Sequence, residues 1–194
     1  LSCGRSPRAR SDREMIGFDA VAARLTATVL AREREFRVQA ELFRDRRRKL
    51  SVNKVPAKNS AALSEVYHTV YFRPEDLFLI REGAAARRKF LDTALCQLRP
   101  RYAAALTEYN RLYEHKTRIL RDSEERPDLL AALPDFNEQM VRFGAALIHY
   151  RAQFAQALGK YAAVHHRECS GGKETLEICY QTVSSVTDPL GDLA

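Results

Sequence analysis

Residues 70–92, VYFRPEDLFLIREGAAARRKFLD, mark the point where this chain passes from one kind of structure to another. Val70, Tyr71 and Phe72 are β-branched or aromatic and read as the end of a strand that begins at Tyr67. Pro74 has no N–H for a sheet ladder and biases Arg73 away from helix, so the strand stops there. Pro74 also suits a first helical position, and Glu75 and Asp76 then sit against the positive end of a helix dipole. Ile80 closes that short turn, Gly83 breaks it, and Arg87, Arg88 and Lys89 open a much longer helix. The residues before this stretch read as β-rich, and those after it, to about Cys169, read as helical.

Upstream, the apolar pattern has period two. Leu25, Ala27 and Val29 alternate with Arg24, Thr26 and Thr28, and Phe36, Val38, Ala40 and Leu42 alternate with Arg37, Gln39, Glu41 and Phe43. Such alternation gives antiparallel strands with one buried and one wet face. A third strand is expected over 49–53, a turn at Asn53-Lys54-Val55-Pro56, and a short helix to Val66 capped by Asn59 or Ser60. Nearer the start, Ser11 and Glu14 have the spacing of a capping box.

Downstream, Leu91, Leu95, Leu98, Tyr102, Leu106, Tyr109 and Tyr113 draw one helical stripe, with a kink or break expected near Leu98 because Pro100 lies inside it. Phe136, Met140, Phe143, Leu147, Phe154, Leu158, Tyr161 and His165 draw a second. Two long stripes joined by a Pro-containing connection predict an antiparallel helical pair. After Gly171-Gly172 the alternation Leu176, Ile178, Tyr180 predicts a strand that rejoins the first-half sheet. The fold class is therefore α+β, divided as 1–72 (β-rich), 73–169 (helical) and 170–194 (returning strand).

The 194 residues, 45% of them apolar, suffice for a real core in one or two domains. The net charge of +7 is uneven: residues 1–100 hold 21 Lys and Arg against 12 Asp and Glu, a net +9. A basic first half points to a polyanion or an acidic partner. The run from Arg44 to Lys49 reads more simply as a solvated hairpin tip. Four cysteines without a CxxC pair fit a reduced, cytoplasmic protein. No apolar run has the length of a membrane span, and no signal peptide is visible. Gly171-Gly172-Lys173-Glu174-Thr175 fails as a phosphate loop, because Arg167 stands where the first Gly belongs and Glu174 where Ser or Thr belongs. His165, His166 and Cys169 fall short of the four ligands a structural zinc needs, so no metal is expected.

Phe72-Arg73-Pro74-Glu75-Asp76-Leu77, Gly83, Arg87-Arg88, Phe90-Leu91-Asp92, Gln97, Pro100 and Tyr102 together resemble the central signature of the RecF family of SMC-like, ABC-type ATPases. The resemblance extends to Ser6, Arg8, Asp12, Glu14 and Ile16 upstream, and to Glu138-Gln139, Gly144, Arg151, Glu174 and Leu176 downstream. It departs from the family at Pro7, at His115-Lys116-Thr117 and at Phe136-Asn137. It implies the antiparallel β part of an ABC-type ATPase head (lobe I) with an inserted antiparallel helical lobe (lobe II), as an internal fragment of a longer protein.

Functionally the resemblance implies recombinational repair of gapped DNA, with ATP-gated DNA binding and recombinase loading, and a place in DNA replication and the SOS response. The parent protein is expected to bind ATP and Mg²⁺, to act as a weak DNA-dependent ATPase, to dimerise with ATP and to meet RecR- and RecO-type mediators. Walker A, signature and Walker B motifs do not occur in these residues, so the segment alone is expected to take no cofactor and to have no catalytic residue. Glu75 stands at a Q-loop-like position and is a nucleotide-site candidate. Arg8, Arg10, Arg87, Arg88 and Lys89 are DNA-contact candidates. An alternative is that the helical lobe is a protein-docking module of an SMC-like ATPase, with DNA contacts elsewhere; an SMC-like ATPase outside repair is a third reading.

Overall fold

A computed structural model describes residues 6, 8–9, 11–57, 61–183 and 185–191. Arg10, Asn59 and Ser60 lie outside the described residues. The chain divides into two compact units, Leu1–Arg87 with Cys96–Pro100, and Arg88–Leu95 with Arg101–Ala194.

The first unit is built on a four-stranded antiparallel sheet in the order β1 (Ala22–Ala31), β2 (Arg34–Phe43), β3 (Lys49–Val52), β4 (Val55–Ala57). The period-two pattern fixes its register: Leu25 lies opposite Ala40 and Ala27 opposite Val38, while Arg24 meets Glu41 and Thr26 meets Gln39 on the other face. The apolar face is closed by Ile16 and by Leu63 of α1 (Ala61–Ser64), both buried with Val38, Ala40 and Leu42. Both two-residue turns have positive φ at each central position, Arg32 and Glu33 in one and Asn53 and Lys54 in the other. This geometry matches the twist of adjacent strands. Asn53 suits it, because its Oδ1 accepts the Arg37 N–H at 2.7 Å. The expected four-residue turn is thus shorter than read, and Val55 and Pro56 belong to the edge strand β4, where Pro is tolerated.

The Arg44–Lys49 run is largely consumed by structure. Arg44 donates to the carbonyls of Ala20 and Gly17, each at 2.8 Å; Arg48 pairs with Asp12; Arg46 lies over the Phe43 ring. The Ser11 capping box does not form. Residues Asp12–Met15 make a 3₁₀ turn with no side-chain cap, and Ser11 Oγ instead faces Glu14 Oε1 at 3.5 Å.

Residues 67–73 do not form the expected strand. β-branched and aromatic residues favour extended backbone, but a ladder also needs a neighbouring strand. Here the Gln97 carboxamide takes that place for Thr69, accepting its N–H at 3.0 Å and donating to its carbonyl at 3.3 Å. A 3₁₀ turn, Pro74–Phe78, comes next, and the Asp76 carboxylate reaches back to the Arg73 N–H at 2.8 Å. The acidic residues behind Pro74 therefore do favour a helix start, but of a single turn.

The second unit contains most of α2 (Ala84–Leu98), α3 (Pro100–Asp122) and α4 (Leu133–Cys169). The break expected near Leu98 occurs there, with Pro100 as first residue of α3. Contacts climb α4 as they descend α3. Lys116 bonds Asn137 at 2.6 Å, His115 stacks on Phe136, Tyr109 lies against Gly144, and Tyr102 meets Tyr150 edge to face. The pair is antiparallel, as the two stripes predict. A Cβ at Gly144 would lie 3.4 Å from the Tyr109 ring, so the two helices are in close contact there. The stripe itself is re-phased across the break. Leu98 and Tyr113 are exposed, and the buried positions of α3 are Tyr102, Ala105 and Leu112. On α4, Leu147, Ala152 and Ala155 are buried, while Tyr161 is exposed.

Gly171 and Gly172, both at positive φ, terminate α4, with the Gly172 N–H on the Arg167 carbonyl at 2.8 Å. The segment after them forms no strand among its described residues. It runs beside α4 within the second unit, with Glu174 bonded to His166 at 3.0 Å and Ile178 against Gly159. Alternation marks extended chain, and these residues find a helix surface. No helix among the described residues is long and apolar enough to cross a membrane.

Candidate functional site

Glu75 lies exposed in the single 3₁₀ turn Pro74–Phe78. Its neighbour Asp76 is held by Arg73, whose guanidinium donates to Oδ1 at 2.7 Å. That hydrogen bond keeps the Asp76 carboxyl below the ordinary carboxylate range and raises Arg73. The turn thus has a fixed shape, and Glu75 projects from it with no part in the cap.

Arg8 is exposed, and its N–H and that of Ala9 are held by Ser6 Oγ at 3.2 and 3.0 Å. The three cations of α2 do not open the helix. It begins at Ala84, so Arg87, Arg88 and Lys89 leave from beyond its first three residues. Successive helical residues turn by about 100°, so the three side chains fan out and do not converge on one anion with the helix N–H groups. Arg87 is already engaged, donating to the Glu82 carbonyl at 2.8 Å and facing that of Ile80 at 3.4 Å. Arg88 and Lys89 are exposed and make no ion pair among the described residues. Asp92, a carboxylate about one turn from Arg88, is taken by Arg151 instead.

Four residues that carry the family signature turn out to be engaged in polar contacts of these helices, Tyr102 and Gln97 buried, Asp92 and Arg151 half-buried. Tyr102 has no exposed surface, and its hydroxyl donates to Asp92 Oδ1. Arg151 grips the same carboxylate with two parallel bonds, Nε to Oδ1 at 2.9 Å and Nη2 to Oδ2 at 3.0 Å. Its Nε also lies 3.0 Å from the Tyr102 oxygen. Burial, then the hydrogen bond to Asp92, pushes the Tyr102 phenol well above its usual range. Burial works against the Arg151 charge, but Asp92 and Tyr102 outweigh it and hold the guanidinium protonated. The fourth residue, Gln97, is buried in the first unit against Thr69, and its own carbonyl lies 3.0 Å from His68 Nε2. Spacing along the chain carried no sign of these partnerships; the only signal was membership in the signature.

The positions where the chain departs from the family pattern are also matched in space. His115 stacks on Phe136 and Lys116 bonds Asn137, so the two departures face each other across α3 and α4. Among the described residues no group of His, Cys, Asp and Glu could hold a metal ion.

No protein-family model matches the chain. The DNA replication and repair protein RecF of Agathobacter rectalis is 33% identical over 177 residues, which are 91% of this chain and 49% of the relative. The protein of the same name from Streptococcus pyogenes serotype M1 is 34% identical over 185 residues, 94% of this chain and 49% of the relative. The solved structure of the recombination mediator protein RecF with ATPrS, in the RecFOR pathway, superposes with a TM-score of 0.87 at 26% identity, over 96% of this chain and 51% of the other. The corresponding structure with ATP gives 0.85 at 27% identity, over 95% and 49%. The chain spans about half the length of the curated relatives it matches. Its antiparallel sheet and helices are the α+β fold of an ABC-type ATPase fragment.

Proposed function

We propose, from the premise that this chain belongs to the RecF family, that it is the sheet-and-helical-lobe portion of a recombinational DNA-repair ATPase. In that protein ATP and Mg²⁺ bind at motifs outside these residues, ATP closes a dimer, and the dimer binds gapped or duplex DNA and acts with RecO- and RecR-type mediators. The observation that carries this reading is the superposition on ATP-bound RecF over nearly the whole chain. In the working division, residues 1–72 are the head, 73–169 the helical lobe and 170–194 the return to the head. Glu75 faces the nucleotide side, and Arg8, Arg10, Arg87, Arg88 and Lys89 supply the basic character for DNA.

One observation favours the docking-module alternative. The three α2 cations fan out, and Arg87 is spent on backbone carbonyls. A salt titration separates the readings. If Arg88 and Lys89 meet phosphate, the chain binds duplex DNA without sequence preference at about 10⁻⁴ to 10⁻⁶ M near physiological salt. Replacing both with Ala then weakens all sequences alike and flattens the slope of log affinity against log salt by roughly two units, close to one per lost phosphate contact. An unchanged slope with loss of a partner protein would establish the docking module in its place.

A further inference from the structure

Four cations gather at one end of the sheet in the first unit. Arg32 is in the β1–β2 turn, and Arg34 follows it, paired with Ala31 in the last rung of that ladder. Lys54 is in the β3–β4 turn, which is fastened beside Arg37: the Asn53 N–H donates to the Arg37 carbonyl at 2.8 Å, and Asn53 Oδ1 accepts the Arg37 N–H at 2.7 Å. All four are exposed, and none makes an ion pair among the described residues. The carboxylates at this end, Glu33 and Glu35, are exposed and pair with none of them. The other end of the sheet is different. There Arg44 is spent on carbonyls, Arg48 on Asp12 and Arg46 on the Phe43 ring.

Two-residue turns of this hand favour Asn-Gly, because glycine takes positive φ without steric cost. Asn53 meets that preference, but Arg32 at φ 51°, Glu33 at φ 59° and Lys54 at φ 66° do not. The chain keeps long charged side chains where glycine would fold more easily. Packing does not account for them, since Arg32 and Lys54 are exposed. Backbone strain of this kind points to a use for the side chain that bears it.

The surrounding face narrows the use. Arg37 shares the polar face of β1 and β2 with Thr26, Thr28 and Gln39, while Phe36 alternates to the other face. This end of the face thus offers cations and neutral hydrogen-bonding groups, which meet phosphate and sugar, and no ring on which an unpaired base could stack. Arg37 is three residues inward from Arg34 along β2, a rise of roughly 10 Å, so the cations extend over about three base pairs of a duplex.

We infer that this end of the sheet is a contact surface for the backbone of duplex DNA, with Arg32, Arg37 and Lys54 on the phosphates. The inference rests on the DNA-binding reading above and adds these residues to the cations named there. Phosphate contacts carry no sequence information, so the surface positions the duplex without reading it.

The test is made in the full-length protein with Arg32→Gly and Lys54→Gly combined, because glycine removes each cation and relieves its turn at once. Duplex affinity is measured between about 50 and 200 mM salt. The double variant is expected to bind all sequences less tightly and to flatten the slope of log affinity against log salt by roughly two units. Adding Arg37→Gln should flatten it by roughly one more, close to one per lost phosphate contact. The thermal midpoint of the double variant should equal or exceed that of the wild type, so that binding and stability part company. Arg46→Ala, at the other end of the sheet, controls for net charge and should leave the slope unchanged. Unchanged slopes in the double and triple variants, with a wild type that binds, would overturn the contact and leave the DNA-binding reading intact. Equal flattening per charge by Arg46→Ala would reduce the effect to net charge and overturn the contact too. A lowered thermal midpoint in the double variant would show that Arg32 and Lys54 serve the sheet itself and would overturn the assignment. A wild type that binds no duplex would overturn the DNA-binding reading, and this surface with it.

Discussion

Replacing Arg151 with methionine is expected to lower the unfolding free energy by about 3–5 kcal/mol, the usual cost of leaving one member of a buried ion pair alone. The side chains of Arg151 and Asp92 are only 14% and 22% exposed, so solvent screens neither well. Without the guanidinium, Asp92 retains only the Tyr102 hydroxyl, and a buried carboxylate with one neutral donor is poorly compensated. The double change Arg151→Met with Asp92→Asn removes both charges, and its cost should fall well short of the sum of the single changes, by on the order of 0.5–3 kcal/mol. Additivity in denaturant midpoints would show that the two groups act independently, against the geometry. The same cluster carries a pH dependence. The Tyr102 phenol is raised in the native state, so the native protein holds this proton more tightly than the unfolded chain does. That stability is fully present below the unfolded tyrosine value of about 10 and is lost as pH rises above it. Unfolding curves between about pH 8 and 11 should therefore fall more steeply for the wild type than for Tyr102→Phe.

The sheet was readable residue by residue because a period-two pattern specifies both strand and face. Leu25, Ala27 and Val29 point with Val38 and Ala40 as their alternation requires. Alternation says nothing about whether a neighbour exists, and that is why 67–72 and 176–180 read as strands. In both, the chain is without regular structure, and its partners include a glutamine side chain in one case and the surface of α4 in the other. The helical lobe shows the complementary failure. A period of 3.6 carried across Pro100 treats two helices as one, and the phase lost at the break puts Tyr113 in solvent. Charge was legible, its engagement was not: nothing local distinguishes Arg87, held by two carbonyls, from Lys89, held by none. The polar network escaped for a deeper reason. Arg151 and Asp92 are 59 residues apart, and Gln97 and Thr69 are 28 apart. Such pairings depend on the packing of whole helices, which no short motif encodes.

The re-phased stripe leads to a sharp contrast among neighbouring positions of α3. Leu112→Asp is expected to cost about 3–5 kcal/mol, because Leu112 is 2% exposed and the new carboxylate would be buried. Tyr113→Asp, on the next residue, is expected to change stability by about 0.5 kcal/mol or less, since that side chain is 58% exposed. Leu106→Asp, at a half-buried position, should fall between the two. A helix whose core followed the unbroken sequence stripe would give the opposite order, with Tyr113 and Leu106 sensitive and Leu112 tolerant, so thermal denaturation of the three variants decides the phase of α3 directly. Acid provides an independent check on the Leu112 variant. A carboxyl forced into an apolar site has its pKa raised, so it binds a proton more readily folded than unfolded. The penalty should therefore be full near neutral pH and shrink as pH falls toward the ordinary aspartate value of about 4, where the buried group is neutral and the charge term is gone. A penalty that persisted undiminished in acid would have to come from lost packing alone, and Leu112→Ala, which creates that loss without a charge, would then match it at every pH.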